Sequence, residues 1–292
     1  MDNENILKSY IDRWDKHDDS PGTGGFSHTR ESWNKRADLW VSNFNRPSGE
    51  LRNHTRMMAI ADYLRYKGLL KDSHSVVDIG CGPGYYVAEF AKTSSHVMGI
   101  DLSDRMIEYA TKHSESLGLK NISFRVANFP TDVDVMKEGW EKKFDLVFTS
   151  ITPAFSGMEA LTKMNSMSRS YCFNNGWVYR RNHLREELMN RIYGKVEKEQ
   201  CTRGNMLDLF NILWLMDCYP EITYYEENNT DRIPLTEELV TFHVNGITSP
   251  SNVDDDLLLR VKKELEELAE DGMIVEKHES IYGFMLWRTP QA

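Results

Sequence analysis

The stretch from Val76 to Gly84 constrains the fold more than any other part of the chain. Its sequence is V-V-D-I-G-C-G-P-G, in which two β-branched residues lead to an acid and glycines follow at alternate positions. The apolar segment Tyr85–Ala91 comes next and predicts a helix. Glycine carries no Cβ, so a strand that ends in glycines brings bare backbone close to a ligand. This order of strand, turn and helix is typical of nucleotide binding at the carboxyl edge of an α/β sheet.

The spacing of the glycines distinguishes between two kinds of nucleotide. The dinucleotide fingerprint G-x-G-x-x-G requires Gly or Ala at its third position. Gly80 and Gly82 fit the first two positions, but the third is Tyr85, and Gly84 comes one residue early. This spacing argues against an NAD-dependent dehydrogenase. Asp78 precedes the first glycine, and the D-x-G-x-G-x-G pattern resembles motif I of class I S-adenosylmethionine-dependent methyltransferases.

Later segments resemble the same family in the expected order. The run V-M-G-I-D ends in Asp101, about twenty residues after the first glycines, where a carboxylate accepts hydrogen bonds from ribose hydroxyls. The chain continues as L-S-D-R-M, from Leu102 to Met106, which resembles the D-x-S-x-x-M continuation. An alternating strand, I-S-F-R-V, precedes Asn128, and the run F-D-L-V-F-T-S ends at Ser150.

The resemblance covers roughly residues 75–175 and implies a cofactor and its site. The cofactor would be S-adenosylmethionine, with S-adenosylhomocysteine as product. Asp101 would bind the ribose, Leu102 would lie against the adenine, and Asn128 would hydrogen-bond the adenine amine. The predicted cofactor-binding residues are Asp78, Gly80, Cys81, Gly82, Gly84, Asp101, Leu102, Met106, Asn128, Phe129, Ser150 and Ile151.

Alternating strands and helices predict right-handed crossovers and a parallel sheet. We therefore expect an α/β fold with a Rossmann-like, seven-stranded, mostly parallel sheet and a single reversed strand at its edge. Residues 1–50 predict an N-terminal helical lid, and residues 51–175 the cofactor-binding core. Residues 176–270 predict a cap with further core elements, and residues 271–292 a closing antiparallel strand pair.

Aromatic residues recur at helical spacing between residues 33 and 44 and predict one aromatic helix face. In the family that the chain resembles, an N-terminal helical piece often closes over the cofactor, and aromatic rings suit a positively charged sulfonium. The candidate substrate contacts are Trp33, Arg36, Trp40 and Phe155. The alternatives are a helix that simply packs on the core, a solvated charge at Arg36 and a core position for Phe155.

Three later features carry further expectations. His54 and Arg56, near the start of a predicted helix, are expected to be exposed. Residues 206–216 are apolar nearly all round and predict a helix buried in a cap or in a homodimer contact. Residues 222–225 predict a strand, and the acidic, asparagine-rich residues 226–231 a loop.

The charge and the cysteines limit the partners. Lys and Arg total 35 against 45 Asp and Glu, a net charge of −10, whereas nucleic-acid binders usually carry a basic face. We therefore expect no nucleic acid. The four cysteines form no C-x-x-C pair and no metal-ligand spacing is present, so neither disulfides nor a metal site is predicted. A polar N-terminus and the lack of about 18 consecutive apolar residues predict a cytoplasmic protein without membrane contact.

The chemistry that the resemblance implies is an in-line displacement at a methyl carbon. A general base is needed only when the acceptor keeps its proton at neutral pH. His28, His54 and His183 are candidates, although each is better explained as a surface residue, and no catalytic residue is assigned. We expect a small-molecule acceptor. The alternatives are a protein or RNA acceptor, which would need an open basic groove, and a non-catalytic cofactor-binding protein with an occluded site.

Overall fold

The computed structural model describes residues 3–17, 29–44, 47–194, 203–248 and 253–289. Within these ranges, helices and strands follow one another in this order: α1 (Asn3–His17), α2 (Arg30–Phe44), α3 (Pro47–Tyr66), β1 (Ser75–Ile79), α4 (Tyr85–Ala91), β2 (His96–Asp101), α5 (Asp104–Ser116), β3 (Ile122–Val126), α6 (Phe129–Asp132), β4 (Phe144–Ser150), α7 (Gly157–Met167), β5 (Ser168–Asn182), α8 (His183–Tyr193), α9 (Arg203–Leu215), β6 (Glu221–Pro234), α10 (Glu237–Ile247), α11 (Asp255–Leu268) and β7 (Met273–Arg288).

The strands form one seven-stranded sheet in the order β3-β2-β1-β4-β5-β7-β6. Strands β1 to β5 pair in parallel, and β7 runs antiparallel to both of its neighbours. The predicted mostly parallel sheet is therefore confirmed. The predicted edge position of the reversed strand was wrong, because β7 lies between β5 and β6. The strand order reverses at β1 and β4, and this opens a crevice at their carboxyl ends.

Helices cover both faces of the sheet, which explains why its central strands are apolar on both sides. Val76 of β1 packs with Ile60 of α3 and Phe90 of α4 on one face. The next residue, Val77, packs on the other face in a cluster that includes Met164 of α7 and Leu213 of α9. The alternation of side chains along β1 thus joins two hydrophobic layers into one core.

Three strands continue past the carboxyl edge of the parallel sheet. Strand β4 ends at Ser150, which pairs with Asn175 of β5. Beyond this point β5 pairs only with β7, and β7 also pairs with β6. We call residues 176–182, 224–234 and 273–283 the strand extension.

The strand extension corrects two expectations. Residues 226–231, predicted as a loop, lie inside β6, and the predicted closing strand pair is the single strand β7. Residues 226–231 are polar because the side chains of β6 point alternately to solvent and to a polar interior. Sequence patterning identifies half-buried strands through apolar residues on the inner face, and here the inner face is largely polar.

A separate hydrophobic cluster covers the far part of the strand extension. Leu188 of α8, Val244 of α10 and Val261 of α11 are buried against one another and against Ile274 of β7. Ile274 belongs to this cluster, and Tyr282 belongs to the cluster that contains α3. The two residues are an even number of positions apart in β7, so their side chains point to the same face of the sheet. The two clusters therefore cover the same face. The space between the two helical layers is the location of the site described below.

Helix α1 packs against α9 rather than over the carboxyl edge of the sheet. The Arg13 guanidinium donates from Nε to Asp208 at 2.8 Å, and Trp14 is buried in the core. Burial within this chain covers only one side of residues 206–216, because Leu207 is 55% exposed and Trp214 is 52% exposed. A homodimer contact on this face of α9 stays a prediction.

The close approach of α4 and α5 at Gly84 is testable. Gly84 has φ of +79°, and a Cβ there would lie 2.8 Å from the Cβ of Ala110. Gly118 also has a positive φ, +67°, but a Cβ there would meet nothing within 4 Å. We predict that Gly84→Ala lowers the free energy of unfolding by about 1–3 kcal/mol more than Gly118→Ala does. Urea denaturation of both variants measures this, and equal losses would contradict the close contact.

Candidate functional site

A cavity of about 410 Å³ opens at the carboxyl ends of β1, β2 and β4 and reaches onto the strand extension. We call its two parts the glycine-turn end and the strand-extension end. The glycine-turn end is lined by Gly80, Cys81, Gly82, Asp101, Leu102, Met106, Asn128, Phe129, Ser150 and Ile151. The strand-extension end is lined by Arg56, Trp177, Arg180, Glu227, Asn229, His278, Ser280 and Tyr282.

Backbone hydrogen bonds tie the glycine turn to the end of β2. The N–H groups of Gly80 and Cys81 donate to the carbonyl of Ile100 at 2.8 and 3.0 Å. The N–H of Gly82 donates to Asp101 Oδ2 at 2.9 Å. Gly82 has φ of +53°, and a Cβ there would meet nothing within 4 Å. The backbone of the turn therefore borders open space that a ligand can enter.

Asp101 has hydrogen-bonding capacity left for a ligand. Its Oδ1 accepts from the N–H of Ser103 at 2.9 Å, and its Oδ2 accepts from Gly82. Burial raises the pKa of Asp101, against the opposing effect of these backbone donors. Each carboxylate oxygen accepts more than one hydrogen bond, so the side that faces the cavity can still accept from hydroxyl groups.

Asp78 lies beneath the turn and is not among the residues that line the cavity. It is buried, and its Oδ2 has no hydrogen-bond partner among the described residues. Burial, and then the charge of Asp101, raises the pKa of Asp78 well above its usual range. A buried acid in this state is suited to a cationic or hydrogen-donating ligand group that reaches the turn.

Two other residues of the predicted cofactor set have positions that limit their roles. Gly84 does not line the cavity, because it lies where α4 packs against Ala110 and Phe124. Cys81 lines the cavity, but burial and then the charges of Asp101 and Asp78 raise the pKa of its thiol well above the usual range. This thiol therefore stays protonated at neutral pH and is a poor nucleophile.

Beyond Asp101, the glycine-turn end is lined by apolar side chains and by one side-chain amide, that of Asn128. Met106 and Phe129 are buried, and Leu102 is partly buried. Asn128 precedes the short helix α6, and its backbone N–H donates to Asp132 Oδ2 at 2.9 Å. This contact holds the backbone of Asn128 at the cavity wall. The arrangement suits a flat, apolar ring with a polar edge.

The loop after β4 is strained where it meets the cavity. Ile151 has φ of +47°, which is unusual for a β-branched residue. Its N–H donates to the carbonyl of Asn175 at 2.9 Å, and Asn175 Nδ2 donates to Ser150 Oγ at 2.9 Å. The Ser150 hydroxyl also lies 3.4 Å from the hydroxyl of Tyr86. Residues in such backbone conformations concentrate at ligand sites.

Helix α2 lies over the start of α5, next to Asp101. The Ser103 hydroxyl donates to Asn34 Oδ1 at 2.6 Å. Asp38 Oδ1 accepts from Arg105 Nε at 2.9 Å and from the Tyr109 hydroxyl at 2.7 Å. These contacts position α2 at the mouth of the glycine-turn end.

Two of the four predicted substrate contacts line the cavity, and two do not. Trp33 and Trp40 of α2 line the cavity. The Arg36 guanidinium lies 5.5 Å over the ring of Trp33, outside the cavity lining. Phe155 does not line the cavity; it is partly buried and packs edge-on against Trp14, with 5.6 Å between the ring centroids, at the edge of the hydrophobic core.

A buried ion pair forms one wall of the strand-extension end. Arg56 Nη1 donates to Glu227 Oε2 and to the Tyr282 hydroxyl, both at 2.8 Å. The guanidinium also lies 4.5 Å over the ring of Tyr282. The expected exposure of Arg56 was wrong, since its side chain is only 12% exposed. The partner that buries it, Glu227, is 171 residues away in the chain.

The register of the strand extension places polar side chains in rows on one face. Residues that pair across antiparallel strands point to the same side of the sheet. We call this side the inner face. Its first three rows are Trp177, Tyr282 and Tyr225; then Arg180, Ser280 and Glu227; then Asn182, His278 and Asn229.

Behind the third row lies a buried carboxylate, Glu276. Its Oε2 is 3.3 Å from His278 Nε2, and its Oε1 accepts from Asn182 Nδ2 at 3.0 Å and lies 3.9 Å from His243 Nε2. Burial alone would raise the pKa of Glu276. The hydrogen bond and charge of His278, the charge of His243 and the Asn182 amide outweigh burial and lower this pKa to about 2. His278 is therefore held in position by an ionised acid.

Two of the three histidines considered as general bases, His54 and His183, do not line the cavity. His54 is exposed, and His183 Nε2 lies 3.0 Å from Glu279 Oε1. His28 lies outside the described residues. His278, which does line the cavity, was missed. The signal that would have found it is the spacing of two between polar and aromatic residues at 278, 280 and 282.

Metal centres and membrane spans are both absent from the described ranges. No group of three or more His, Cys, Asp or Glu side chains is placed there to hold a metal ion. Every helix in those ranges is too short or too polar to cross a lipid bilayer. The described cysteines, Cys81, Cys172 and Cys218, are buried and form no disulfide, and Cys201 lies outside these ranges.

A family model described as a methyltransferase domain matches residues 70–201, which include the glycine turn and β1 to β5. Residues 70–201 of this chain are therefore similar to a methyltransferase domain. The fold agrees. The structure of magnesium protoporphyrin IX methyltransferase (ChlM) from Synechocystis PCC 6803, solved with bound S-adenosylhomocysteine, aligns with a TM-score of 0.51 at 14% identity. The alignment covers 88% of this chain and 96% of that chain.

Curated relatives share a limited part of the chain. The 23S rRNA (uracil(1939)-C(5))-methyltransferase RlmD of Shewanella sediminis is 31% identical over 106 residues, which are 35% of this chain and 23% of the relative. The ubiquinone biosynthesis O-methyltransferase of Actinobacillus pleuropneumoniae is 31% identical over 86 residues, which are 30% of this chain and 36% of the relative. The chain thus spans about a quarter to a third of these relatives, so the similarity concerns one part of each protein.

The role of Asp101 in the methyltransferase domain is testable by ligand affinity. We predict that Asp101→Ala weakens the binding of S-adenosylhomocysteine at least about tenfold, because two ribose hydroxyls lose a charged acceptor. Asp104→Ala is the matched control, since Asp104 is an exposed acid in the first turn of α5. Isothermal titration calorimetry gives both affinities, and circular dichroism checks the fold. Unchanged affinity in Asp101→Ala would refute the assignment.

The buried state of Asp78 predicts a pH dependence of stability. Its folded-state pKa is raised, so the folded protein holds the proton longer than the unfolded chain does. Stability should therefore fall as pH rises from the ordinary carboxyl range, about 4, through the raised folded pKa. Asp78→Asn removes this loss, so the ligand-free variant should gain stability relative to the parent with increasing pH. Thermal unfolding from acidic to neutral pH tests this, and a constant difference between the two proteins would contradict it.

Proposed function

We propose that this chain binds S-adenosylmethionine at the glycine-turn end and transfers its methyl group to a small-molecule acceptor at the strand-extension end. The observation that carries the proposal is that both ends belong to one cavity. The residues of the glycine-turn end come from the methyltransferase domain. Most residues of the strand-extension end come from the later part of the chain.

The residues at the glycine-turn end fit the cofactor. The open backbone at Gly82 admits a ligand, and Asp101 retains acceptors for ribose hydroxyls. Asn128 lies beside the apolar part of the wall, where an adenine would bind. The unpartnered Oδ2 of Asp78 suits the positively charged amino group of the methionine part. When bound, S-adenosylmethionine supplies a methyl group already activated by a sulfonium.

The chain has to align two reactants and exclude water. Correct alignment contributes up to about 7–11 kcal/mol to lowering a barrier of this kind. The strained loop at Ile151, together with Tyr86 and Ser150, lies where the two ends of the cavity meet. Trp33, Trp40 and Trp177 supply aromatic faces that suit a positively charged sulfonium.

We propose that α2 alone acts as the lid that was predicted for residues 1–50. It is held at the cavity mouth by Asn34 and Asp38 and contributes Trp33 and Trp40 to the lining. Helix α1 packs in the core through Trp14 and against α9. A lid of one helix can open without exposing the α1 contacts.

A small acceptor fits the strand-extension end better than a macromolecule does. The wall of this end includes the buried Arg56–Glu227 pair, and the whole cavity has a volume of about 410 Å³, which is in the range that small-molecule ligands fill. The chain carries a net charge of −10, which disfavours a polyanion such as RNA. One relative is a 23S rRNA methyltransferase, but the matched part is 35% of this chain and 23% of that relative. Its acceptor therefore does not carry over to this chain.

Binding and turnover test the proposal directly. We expect S-adenosylmethionine and S-adenosylhomocysteine to bind with micromolar dissociation constants, and we expect S-adenosylhomocysteine to form when a panel of small phenols, amines and thiols is supplied. Binding without turnover across that panel would favour a non-catalytic protein. Turnover with total RNA and with no small molecule would favour a macromolecular acceptor.

The aromatic row of the inner face predicts a separation of acceptor and cofactor effects. Trp177 lies 4.4 Å from Tyr282 between ring centroids and lines the strand-extension end. We predict that Trp177→Ala raises the acceptor KM about tenfold, because an aromatic surface is lost. The S-adenosylhomocysteine affinity should stay within about twofold. Tyr224→Ala, on the exposed face of β6, is the matched control. Equal effects of both substitutions would contradict the assignment.

A further inference from the structure

Two hydroxyl groups border the junction between the two ends of the cavity. Tyr86 lies in the first turn of α4, directly after the glycine turn, and Ser150 is the last residue of β4. Both residues line the cavity, and their hydroxyl oxygens are 3.4 Å apart. A hydrogen bond between two hydroxyl groups is usually about 2.7–2.8 Å long. The contact is therefore weak, and both groups can turn toward a ligand.

Packing and hydrogen bonds fix the two side chains in place. The ring of Tyr86 lies 4.9 Å from the ring of Phe148 and 5.7 Å from that of Phe90, measured between centroids. Ser150 Oγ accepts a hydrogen bond from Asn175 Nδ2 at 2.9 Å, and Asn175 is fully buried. Because the oxygen of Ser150 already accepts from an amide, its own hydrogen is left to donate.

Charged groups on two neighbouring elements face the Tyr86 hydroxyl. Burial raises the pKa of Tyr86, and the charge of Arg56 from α3 opposes this rise. The Ser150 hydroxyl also opposes the rise in pKa, and the charge of Asp78 from β1 adds to it. The phenol of Tyr86 therefore stays protonated at neutral pH and donates a hydrogen bond. A guanidinium only donates, so Arg56, which is paired with Glu227, does not take that hydrogen.

Hydroxyl donors at the junction restrict the kind of atom that can attack the methyl group. Under the proposed function, the methyl group passes from one end of the cavity to the other at this point, and a lone pair of the acceptor forms the new bond. An amine nitrogen has a single lone pair, so it cannot accept a hydrogen bond and attack at once. An oxyanion has several lone pairs, and sulfur is a weak acceptor. Two converging donors therefore favour oxygen as the attacking atom.

We infer that the hydroxyls of Tyr86 and Ser150 bind the attacking oxygen of the acceptor, and that the acceptor is a phenol or a carboxylic acid that attacks as its oxyanion. This inference rests on the proposed function and names the acceptor class of the same site. The acceptor loses its proton to solvent before the step. Its oxyanion then bonds to the methyl carbon, and the electron pair of the carbon–sulfur bond stays on sulfur. The products are neutral S-adenosylhomocysteine and a methyl ether or methyl ester.

Equilibrium binding of two matched pairs of probes tests the inference. Aromatic probes suit a cavity that is lined by Trp177 and Tyr282. The full chain is saturated with S-adenosylhomocysteine at a pH at which para-nitrophenol is ionised. It is then titrated with para-nitrophenol and para-nitroaniline, and with para-nitrobenzoate and its primary amide.

We expect at least one of the two oxyanions to bind about thirtyfold or more tightly than its neutral partner, because two donors meet a charged acceptor. The pair with the larger preference identifies the acceptor class. A preference for the phenolate indicates a phenol, and a preference for the benzoate indicates a carboxylic acid.

Matched variants locate the preference at the two hydroxyls. Tyr86→Phe keeps the ring and should lower the preference for the oxyanion at least about fivefold, because one donor to a charged oxygen is lost. Ser150→Ala should also lower it. Tyr225→Phe makes the same change outside the cavity, where the ring stacks on Phe284. This control should keep the preference of the parent protein.

Separate outcomes would overturn the inference and the proposed function. The inference fails if neither oxyanion binds more tightly than its neutral partner, or if Tyr225→Phe loses as much preference as Tyr86→Phe. In those cases S-adenosylhomocysteine still binds, and the proposed cofactor site stands. Failure of S-adenosylhomocysteine to bind the parent protein would instead remove the proposed function, and the inference with it.

Discussion

The hydrogen bonds between the glycine turn and the end of β2 are the constraint on which the site depends. Gly80 and Cys81 donate to one carbonyl, that of Ile100, and Gly82 donates to Asp101. These bonds require a turn with left-handed backbone conformations, which glycine adopts at little cost. They bring the backbone of the turn and the carboxylate of β2 to one wall of the cavity. The same geometry buries Asp78 beneath them, where its charge is costly until a ligand group meets it.

The strand extension adds a second constraint at the other end of the cavity. Antiparallel pairing of β5, β7 and β6 aligns polar residues in rows on one face, while the opposite face of β6 is exposed. A polar inner face would be unfavourable in a closed core. It is stable here because Arg56 Nη1 donates to Glu227 and to Tyr282, and because Glu276 is bonded by Asn182 and His278. The two ends of the cavity thus differ. Bare backbone and acidic side chains form the glycine-turn end, whereas polar side chains that pair with one another form the strand-extension end.

Sequence reasoning was accurate where the relevant contacts are local. The helix Tyr85–Ala91, the run that ends in Asp101 and the sheet class follow from residues close together in the chain. It failed where burial depends on distant partners. Arg56 was expected to be exposed because nothing near it in sequence indicates Glu227. Phe155 was considered a substrate contact, but it packs against Trp14 and Trp287 and does not line the cavity. Residues 226–231 looked like a loop because a strand that faces a polar cavity lacks apolar alternation.

The amino-acid sequence by itself determined the glycine turn, the acids at 78 and 101 and the alternation of strands and helices, because each depends on backbone preferences and short spacings. Only the tertiary structure decided which residues line the strand-extension end of the cavity. It placed the reversed strand between β5 and β6 and thereby set Arg180, Ser280 and His278 in neighbouring rows of one face. It also decided that Trp33 and Trp40 line the cavity while Arg36 does not. The physical reason is that register and burial arise from pairing between segments about a hundred residues apart, which no local pattern encodes.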